Sequence, residues 1–268
     1  MKVQVLVATM HQNDHSLLSK MNIKSDAIIG NQCNRNEVED FIWHTWTIKY
    51  LNFAERGVGL NRNNSLMRAN ADICVFADDD MVFDDDYVET LERVFVENPE
   101  ADVLLFNLHE KVITQPIIRK KTKVGYFNYL RYGTARVAFR FSKVRHCGIY
   151  FNQCFGGGTE YCHGEDNLFL NACLKNGLKI VAVPEYLATL NDNRDSSWNH
   201  GYDEKYINDQ GVLYRSLSKR WWKLLCLQDA FRRRKSYRRF FIETYIMMVK
   251  GGRNAELMFK EGGIDKSK

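Results

Sequence analysis

Ile73-Cys74-Val75-Phe76-Ala77-Asp78-Asp79-Asp80 is the stretch on which the reading of this chain turns. Five apolar residues in succession, preceded by Asn70-Ala71, predict a short strand buried on both faces, as in parallel sheets. Open α/β sheets bind their ligands at the carboxyl ends of such strands. Three consecutive carboxylates at that edge repel one another unless a cation or ligand hydroxyls compensate them. The economical partner is a hard divalent ion, Mg²⁺ or Mn²⁺, held by one or two carboxylates and a substrate diphosphate. The alternative is a solvated turn in which aspartate caps the following helix.

Working outward, residues 3–8 read as a first strand, with His11 to Asp14 in the loop beyond it. Residues 27–30 form a second, followed by Asn31 and Gln32, and residues 48–54 a third. Gly57 and Gly59 break the chain before a helix over 61–70. After the aspartates, Val88, Leu91, Val94 and Phe95 recur at helical spacing and stop at Asn98-Pro99; residues 103–106 are the next strand. This alternation predicts an α/β fold, a mostly parallel sheet flanked by helices. Residues 109–150 mix basic and aromatic residues, so strands or a mobile segment are expected there. Cys154 to Thr159 is a glycine turn, Glu165-Asp166 opens a helix stopped by Gly177, and residues 180–183 end the strand series before Pro184. No linker interrupts residues 1–214, which are expected to form one domain followed by a basic, aromatic-rich helical region over 215–268.

A chain of 268 residues can bury one large α/β core, and 45% hydrophobic content with 3 prolines argues against a disordered or fibrous protein. The apolar opening run is too short to span a bilayer and lacks a small-residue cleavage site, so no signal peptide is expected. Seven cysteines without a C-x-x-C pair suit free thiols in a reducing compartment, the cytoplasm. Cys162-His163 and His146-Cys147 lack zinc-ligand spacing. The net charge of +5 conceals a split. Residues 215–250 carry 11 Lys/Arg against Asp229 and Glu243, a net of +9; residues 251–268 add +1, which leaves about −5 on residues 1–214. An acidic body with a basic tail suggests two roles.

Two further constellations carry chemistry. Asp166, at a helix start behind three glycines, reads either as a simple cap or as a general base that takes a proton from an acceptor hydroxyl. Glu165 is expected to point elsewhere, because adjacent helical residues do not share a face. The stretch from Arg56-Gly57-Val58-Gly59 to Leu66 lacks the third glycine of a dinucleotide fingerprint. Arg62 stands in the first helical turn against the helix dipole, held there either for a ligand diphosphate or by an acidic residue.

Taken together, Val7-Ala8-Thr9, Ile29-Gly30-Asn31-Gln32, Gly59 through Asp80, and Gly156-Gly157-Gly158 through Gly164-Glu165-Asp166 resemble a family 2 glycosyltransferase of the GT-A fold, over about residues 1 to 190. The resemblance implies an inverting hexosyltransferase that moves a sugar from a nucleotide-sugar, a UDP-sugar by default, to a glycan or lipid-linked hydroxyl. Asp78 and Asp80 then resemble the D-x-D pair that meets the ribose and a Mn²⁺ or Mg²⁺ ion. Thr9, Asn31, Gln32, Arg62, Asp78 and Asp79 fall where such enzymes hold the nucleotide. Asp166 matches the catalytic base, and Gly157, Gly158 and Glu165 line the acceptor side. His200 is the candidate for the downstream metal histidine, against a plain surface-loop histidine. Asn64 replaces a further arginine common in the family.

In the tail, Trp221, Trp222, Leu224, Leu225, Leu227 and Phe231 precede Arg232 to Lys235 and Arg238-Arg239. This interleaving suits a helix lying on an anionic membrane surface, on the inner face of the cell membrane, or a pair of packing helices with a solvated basic face. No recognisable nucleic-acid-binding module is present. Two other readings of the body stand beside the glycosyltransferase. Asp78 to Val82 also satisfies the D-x-D-x-[TV] pattern of haloacid-dehalogenase-like phosphohydrolases, which normally ends a first strand, and a non-catalytic nucleotide-sugar-binding protein would share the fold.

Overall fold

The computed structural model describes residues 1–111, 116–191 and 201–261, with side chains to residue 255. In chain order the elements are β1 (Val3–Met10), α1 (Ser16–Lys20), β2 (Asp26–Gln32), β3 (Glu37–Trp43), β4 (Trp46–Phe53), α2 (Val58–Arg68), β5 (Ile73–Asp78), β6 (Met81–Phe83), α3 (Tyr87–Glu97), β7 (Val103–His109), β8 (Thr122–Val124), β9 (Val137–Arg140), α4 (Phe141–His146), α5 (Glu165–Lys175), β10 (Ile180–Leu190), α6 (Glu204–Leu217), α7 (Trp222–Arg232), α8 (Arg234–Tyr237) and α9 (Phe241–Glu261). The strands join in one sheet of order β3-β4-β2-β1-β5-β9-β7-β10-β6, with β8 paired to β10. β4, β2, β1 and β5 run parallel, as do β7 and β10.

Both faces of this sheet are covered, which is why its strands read as unbroken apolar runs. Leu6, Ile28, Cys74 and Phe76 point to one face and pack with Phe139, Phe151 and Phe169. Their neighbours Val5, Val7, Ile29 and Val75 point to the other, against Leu17, Leu18, Leu91 and Phe95. On the first face Phe76 meets the rings of Phe139, Phe151 and Phe169, tying the central strand to α5.

Three elements differ from the sequence expectation. β3 makes an antiparallel hairpin with β4 through His44-Thr45, with His44 in the left-handed region at φ 56°. It is a sheet edge with Glu37, Val38, Asp40 and Ile42 exposed, so it carries no apolar run to read. β9 lies in the segment where strands or a mobile stretch are expected, but its place was not foreseen: it inserts antiparallel between β5 and β7 in mid-sheet. β10 does not stop before Pro184. It continues to Leu190, and the pairing with β7 slips between Ala182 and Tyr186, a bulge that accommodates a residue with no N–H to donate.

The helices that follow pack on the body and on one another. α6 runs unbroken past residue 214 and lies along α9, with Gly211 and Gly251 at the crossing. A Cβ on Gly211 would sit 1.8 Å from the Met248 carbonyl oxygen, and one on Gly251 2.3 Å from that of Asn208. Trp222, Cys226, Tyr237 and Met248 join the same apolar cluster as Phe169 and Leu213. Among the described residues no helix is long and apolar enough to cross a membrane.

Candidate active site

The aspartate run sits at the carboxyl edge of β5, where Asp78 is the last strand residue and Asp79-Asp80 turn the chain into β6. The helix-cap alternative does not hold, since the next helix is α3, introduced by Asp86. Thr9, at the end of the adjacent β1, donates its hydroxyl to Asp79 Oδ2 at 2.6 Å. Gln12 Nε2 donates to Thr9 Oγ1 at 2.9 Å. Asn31 then clamps the Gln12 backbone, accepting from its N–H and donating to its carbonyl, and passes on to Asn52 Oδ1 at 2.7 Å. Asn52 in turn donates to Glu39, which pairs with His15 at 3.1 Å. Thr9, Asn31 and Asn52 are buried and satisfied, forming a polar seam across the ends of β1, β2 and β4. Gln32 serves α2 instead, because its Oε1 accepts from the N–H of Gly57, the residue that starts that helix.

Arg62 is the hinge of the site. Its side chain is 6% exposed, and its Nη2 donates to Asp78 Oδ1 at 2.6 Å while Nη1 lies 3.2 Å from Glu165 Oε1. Nη1 also reaches Thr134 Oγ1, and the guanidinium stacks 5.4 Å from the Phe151 ring centroid. The pairing with acidic residues, one of the two sequence alternatives, is present. Burial works against the charged guanidinium, and the carboxylates of Asp78, Glu165 and Asp166 hold it protonated. α2 reaches this position because it is stapled to the glycine turn: Val58 N–H donates to the Gly157 carbonyl, and Asn63 exchanges two hydrogen bonds with the Phe151 backbone.

Glu165 does not point away from Asp166. Burial and then the neighbouring Asp166 carboxylate push its carboxyl up to about 8, against the opposing pull of Arg62, and the two side chains share a hydrogen bond. The i,i+1 rule fails here because both residues occupy the first turn, where Gly164 at φ 109° sets the entry angle. Gly156, at φ 102°, leaves room for them; a Cβ there would meet Val58 at 2.6 Å and Glu165 at 2.8 Å. Gly157 is half-buried and Gly158, at φ 81°, is exposed at the turn.

A second layer was not legible in the sequence. His163 is stacked on Tyr206 with centroids 4.1 Å apart and shares a 2.8 Å hydrogen bond with Gln210 of α6. Burial lowers its pKa, so the ring is held neutral. Asp209 of α6 accepts from the Cys162 N–H, and Leu213 closes on Gly164. The helix after the body therefore grips the loop that presents Glu165 and Asp166. Gln12, Asn52, Glu39 and His15 were also missed; only their place at strand ends marks them. His200 lies outside the described residues. Among the described residues no three His, Cys, Asp or Glu side chains converge to hold a metal, and all seven cysteines are free.

An α/β fold with carboxylates at the carboxyl edge of the sheet is the arrangement expected of a GT-A glycosyltransferase, and comparison with known proteins points the same way. The profile of Glycosyl transferase family 2 matches residues 35–154. The S. aureus TarS fragment 1–349 in complex with UDP-GlcNAc has a TM-score of 0.64 at 13% identity, covering 98% of this chain and 92% of that one. The same fragment in complex with UDP has a TM-score of 0.61 at 16% identity, with the same coverage. A structure of S. aureus TarS has a TM-score of 0.60 at 14% identity, over 97% of this chain and 55% of that one. No curated protein matches the sequence. The match over residues 35–154 supports a glycosyltransferase of family 2, and the chain has the fold of the TarS fragment, the GT-A fold. These matches favour a glycosyltransferase over the phosphohydrolase alternative.

Proposed function

We propose that the protein transfers a sugar, with inversion, from a nucleotide-sugar, most simply a UDP-sugar, to a hydroxyl of a glycan or lipid-linked acceptor in the cytoplasm. The observation that carries this is Arg62, which draws Asp78 at the end of β5 and Glu165-Asp166 at the start of α5 into one charged cluster. The UDP and UDP-GlcNAc complexes of the TarS fragment support the choice of nucleotide.

Asp166 acts as general base. As the acceptor oxygen bonds to the anomeric carbon, the bond from that carbon to the diphosphate oxygen breaks, the nucleoside diphosphate leaves with the electron pair, and the hydroxyl proton passes to Asp166. Glu165, protonated more readily than an ordinary carboxyl, shares its hydrogen bond with Asp166 and keeps that carboxylate oriented. Arg62, paired with Asp78 and Glu165, positions both carboxylates beside the place where the donor diphosphate is expected. Thr9, fixed by Gln12, orients Asp79, and the seam through Asn31 and Asn52 shapes the floor for the base and ribose.

The site's chemistry fits a divalent ion. Asp78, its side chain 39% exposed, and Asp80 present hard carboxylate oxygens at the strand edge, the donors Mn²⁺ and Mg²⁺ prefer beside a diphosphate. Such an ion, when bound, neutralises charge on the leaving group. The expected metal ligands are Asp80 and Asp78, with His200 as a further candidate.

Asp166→Asn is expected to abolish transfer while UDP-sugar affinity measured by calorimetry stays within a few-fold of wild type. Near-normal turnover in that variant would overturn the base assignment. With Mn²⁺ present, a UDP-sugar at about 100 times its dissociation constant should stabilise the fold by about 2.7 kcal/mol, and a chelator should remove the thermal shift.

A further inference from the structure

The aromatic and basic residues after position 215 divide into two sets once folded. Trp222, Cys226, Asp229 and Ala230 form the inward side of α7. Trp221 (55% exposed), Leu224 (57%), Leu227 and Phe231 (55%) recur every three or four residues on its outward side. Solvent-facing helix sides are normally polar, so an apolar stripe at helical spacing marks a surface meant to be covered. The stripe continues across the helix pair: the Phe231 ring meets Phe241 at 5.8 Å, and Ile242 and Ile246 of α9 are exposed beyond it. At the opposite end, a groove of about 650 Å³ has Tyr245, Ile246 and Val249 as its apolar floor and Lys223, Lys250 and Arg253 at its rim.

The cations around this surface are arranged to meet anions. Arg233 and Arg239 are held by Asp229 and by Glu204 and Glu243. Arg220 and Arg234 instead lie over the rings of Trp221 and Phe231, beside the stripe itself. Arg232, Lys235 and Arg238 are exposed next to them. Apolar residues flanked by cations, with the segment at net +9, complement one kind of surface in both respects: acyl chains at the centre and phosphate headgroups at the rim.

We infer that the outward face of α7 and the first turns of α9 dock on an anionic phospholipid bilayer, lying in the interface rather than crossing it. The inference extends the lipid-linked acceptor reading but stands on a different surface from the catalytic cluster. It assigns the exposed and buried halves of the tail opposite roles: Trp222 and Met248 hold the fold, while Trp221, Leu224 and Phe231 meet lipid.

The test is co-sedimentation of the full chain with phosphatidylcholine vesicles and with vesicles that also contain phosphatidylglycerol, without any sugar donor. Wild type is expected to pellet with the anionic vesicles only. Leu224→Glu/Phe231→Glu should abolish this, and Arg234→Gln/Lys235→Gln should weaken partitioning roughly 30-fold, with salt weakening it further. All these residues are exposed, and circular dichroism with a thermal melt verifies that each variant is folded. Wild type failing to pellet overturns the inference, as does pelleting that ignores lipid charge or survives Leu224→Glu/Phe231→Glu. A second copy as occupant also overturns it: light scattering would show a dimer that Leu224→Glu/Phe231→Glu dissociates while vesicles leave wild type in solution. Loss of donor binding in calorimetry would sink the transferase reading alone, so the two failures are distinguishable.

Discussion

Arg62 carries more of the site than any carboxylate does, because it is the buried cation that two of them share. Removing one partner from such a buried network is costly, since the remaining charges lose their compensation. Arg62→Met is expected to cost about 3–5 kcal/mol in urea unfolding, well beyond an exposed arginine such as Arg232. His163 makes a prediction of sign. Its folded pKa lies below the ordinary 6.5 because of burial, with Gln210, Asp209 and Asp166 pulling it up and Arg233 down. The unfolded state thus binds a proton that the folded state refuses, so stability from this group is present above about pH 6.5 and is lost as pH falls below it. His163→Gln should flatten the melting-temperature profile on that acidic side, and kcat should fall more than KM rises because the loop holding Asp166 is loosened. An unchanged pH profile would remove the buried neutral ring from the account.

At the scale of elements, α2 and α6 act as brackets on the two sides of the Glu165–Asp166 turn. α2 brings Arg62 in through Val58 on Gly157 and Asn63 on Phe151. α6 closes from behind with Leu213 on Gly164 and Gln210 on His163. α6 keeps its place by near-contact of backbones with α9, which only glycine permits. Gly211→Ala should therefore push the helices apart and cost about 1–3 kcal/mol or more in denaturant unfolding, whereas Gly125→Ala, with nothing within 4 Å of the added Cβ, should be close to neutral. Elements also differ in how plainly they show in a sequence. β5 and β1 were legible because burial on both faces demands continuous apolar residues. β3 was not, because an exposed edge is built from Glu37, Glu39 and Asp40.

For the whole molecule, the consequence is that the helical region is a supporting part of the transferase as well as its proposed membrane contact. Truncation after residue 214 would leave α6 with the faces that meet Trp222 and Met248 uncovered. Such a fragment is expected to melt well below the full chain and to aggregate, which a thermal scan with light scattering would register. A fragment that melts like the full chain would show the tail to be a mere appendage.

Asp78-Asp79-Asp80 behind an apolar strand, the glycines before Glu165-Asp166 and the basic, aromatic tail are local patterns; such patterns were enough for the central parallel strands and the class of chemistry, and they nominate Asp166 as the base to be tested. The sequence could not show which acidic residues Arg62 would meet, that Glu165 would interact with Asp166, or that Trp221 would face out and Trp222 in. Those outcomes depend on which side chains meet across more than a hundred residues of chain, as Arg62 and Glu165 do, and on which side of a helix the core happens to lie. Only packing decides that, because charge and hydrophobicity specify what a side chain needs and not which neighbour supplies it.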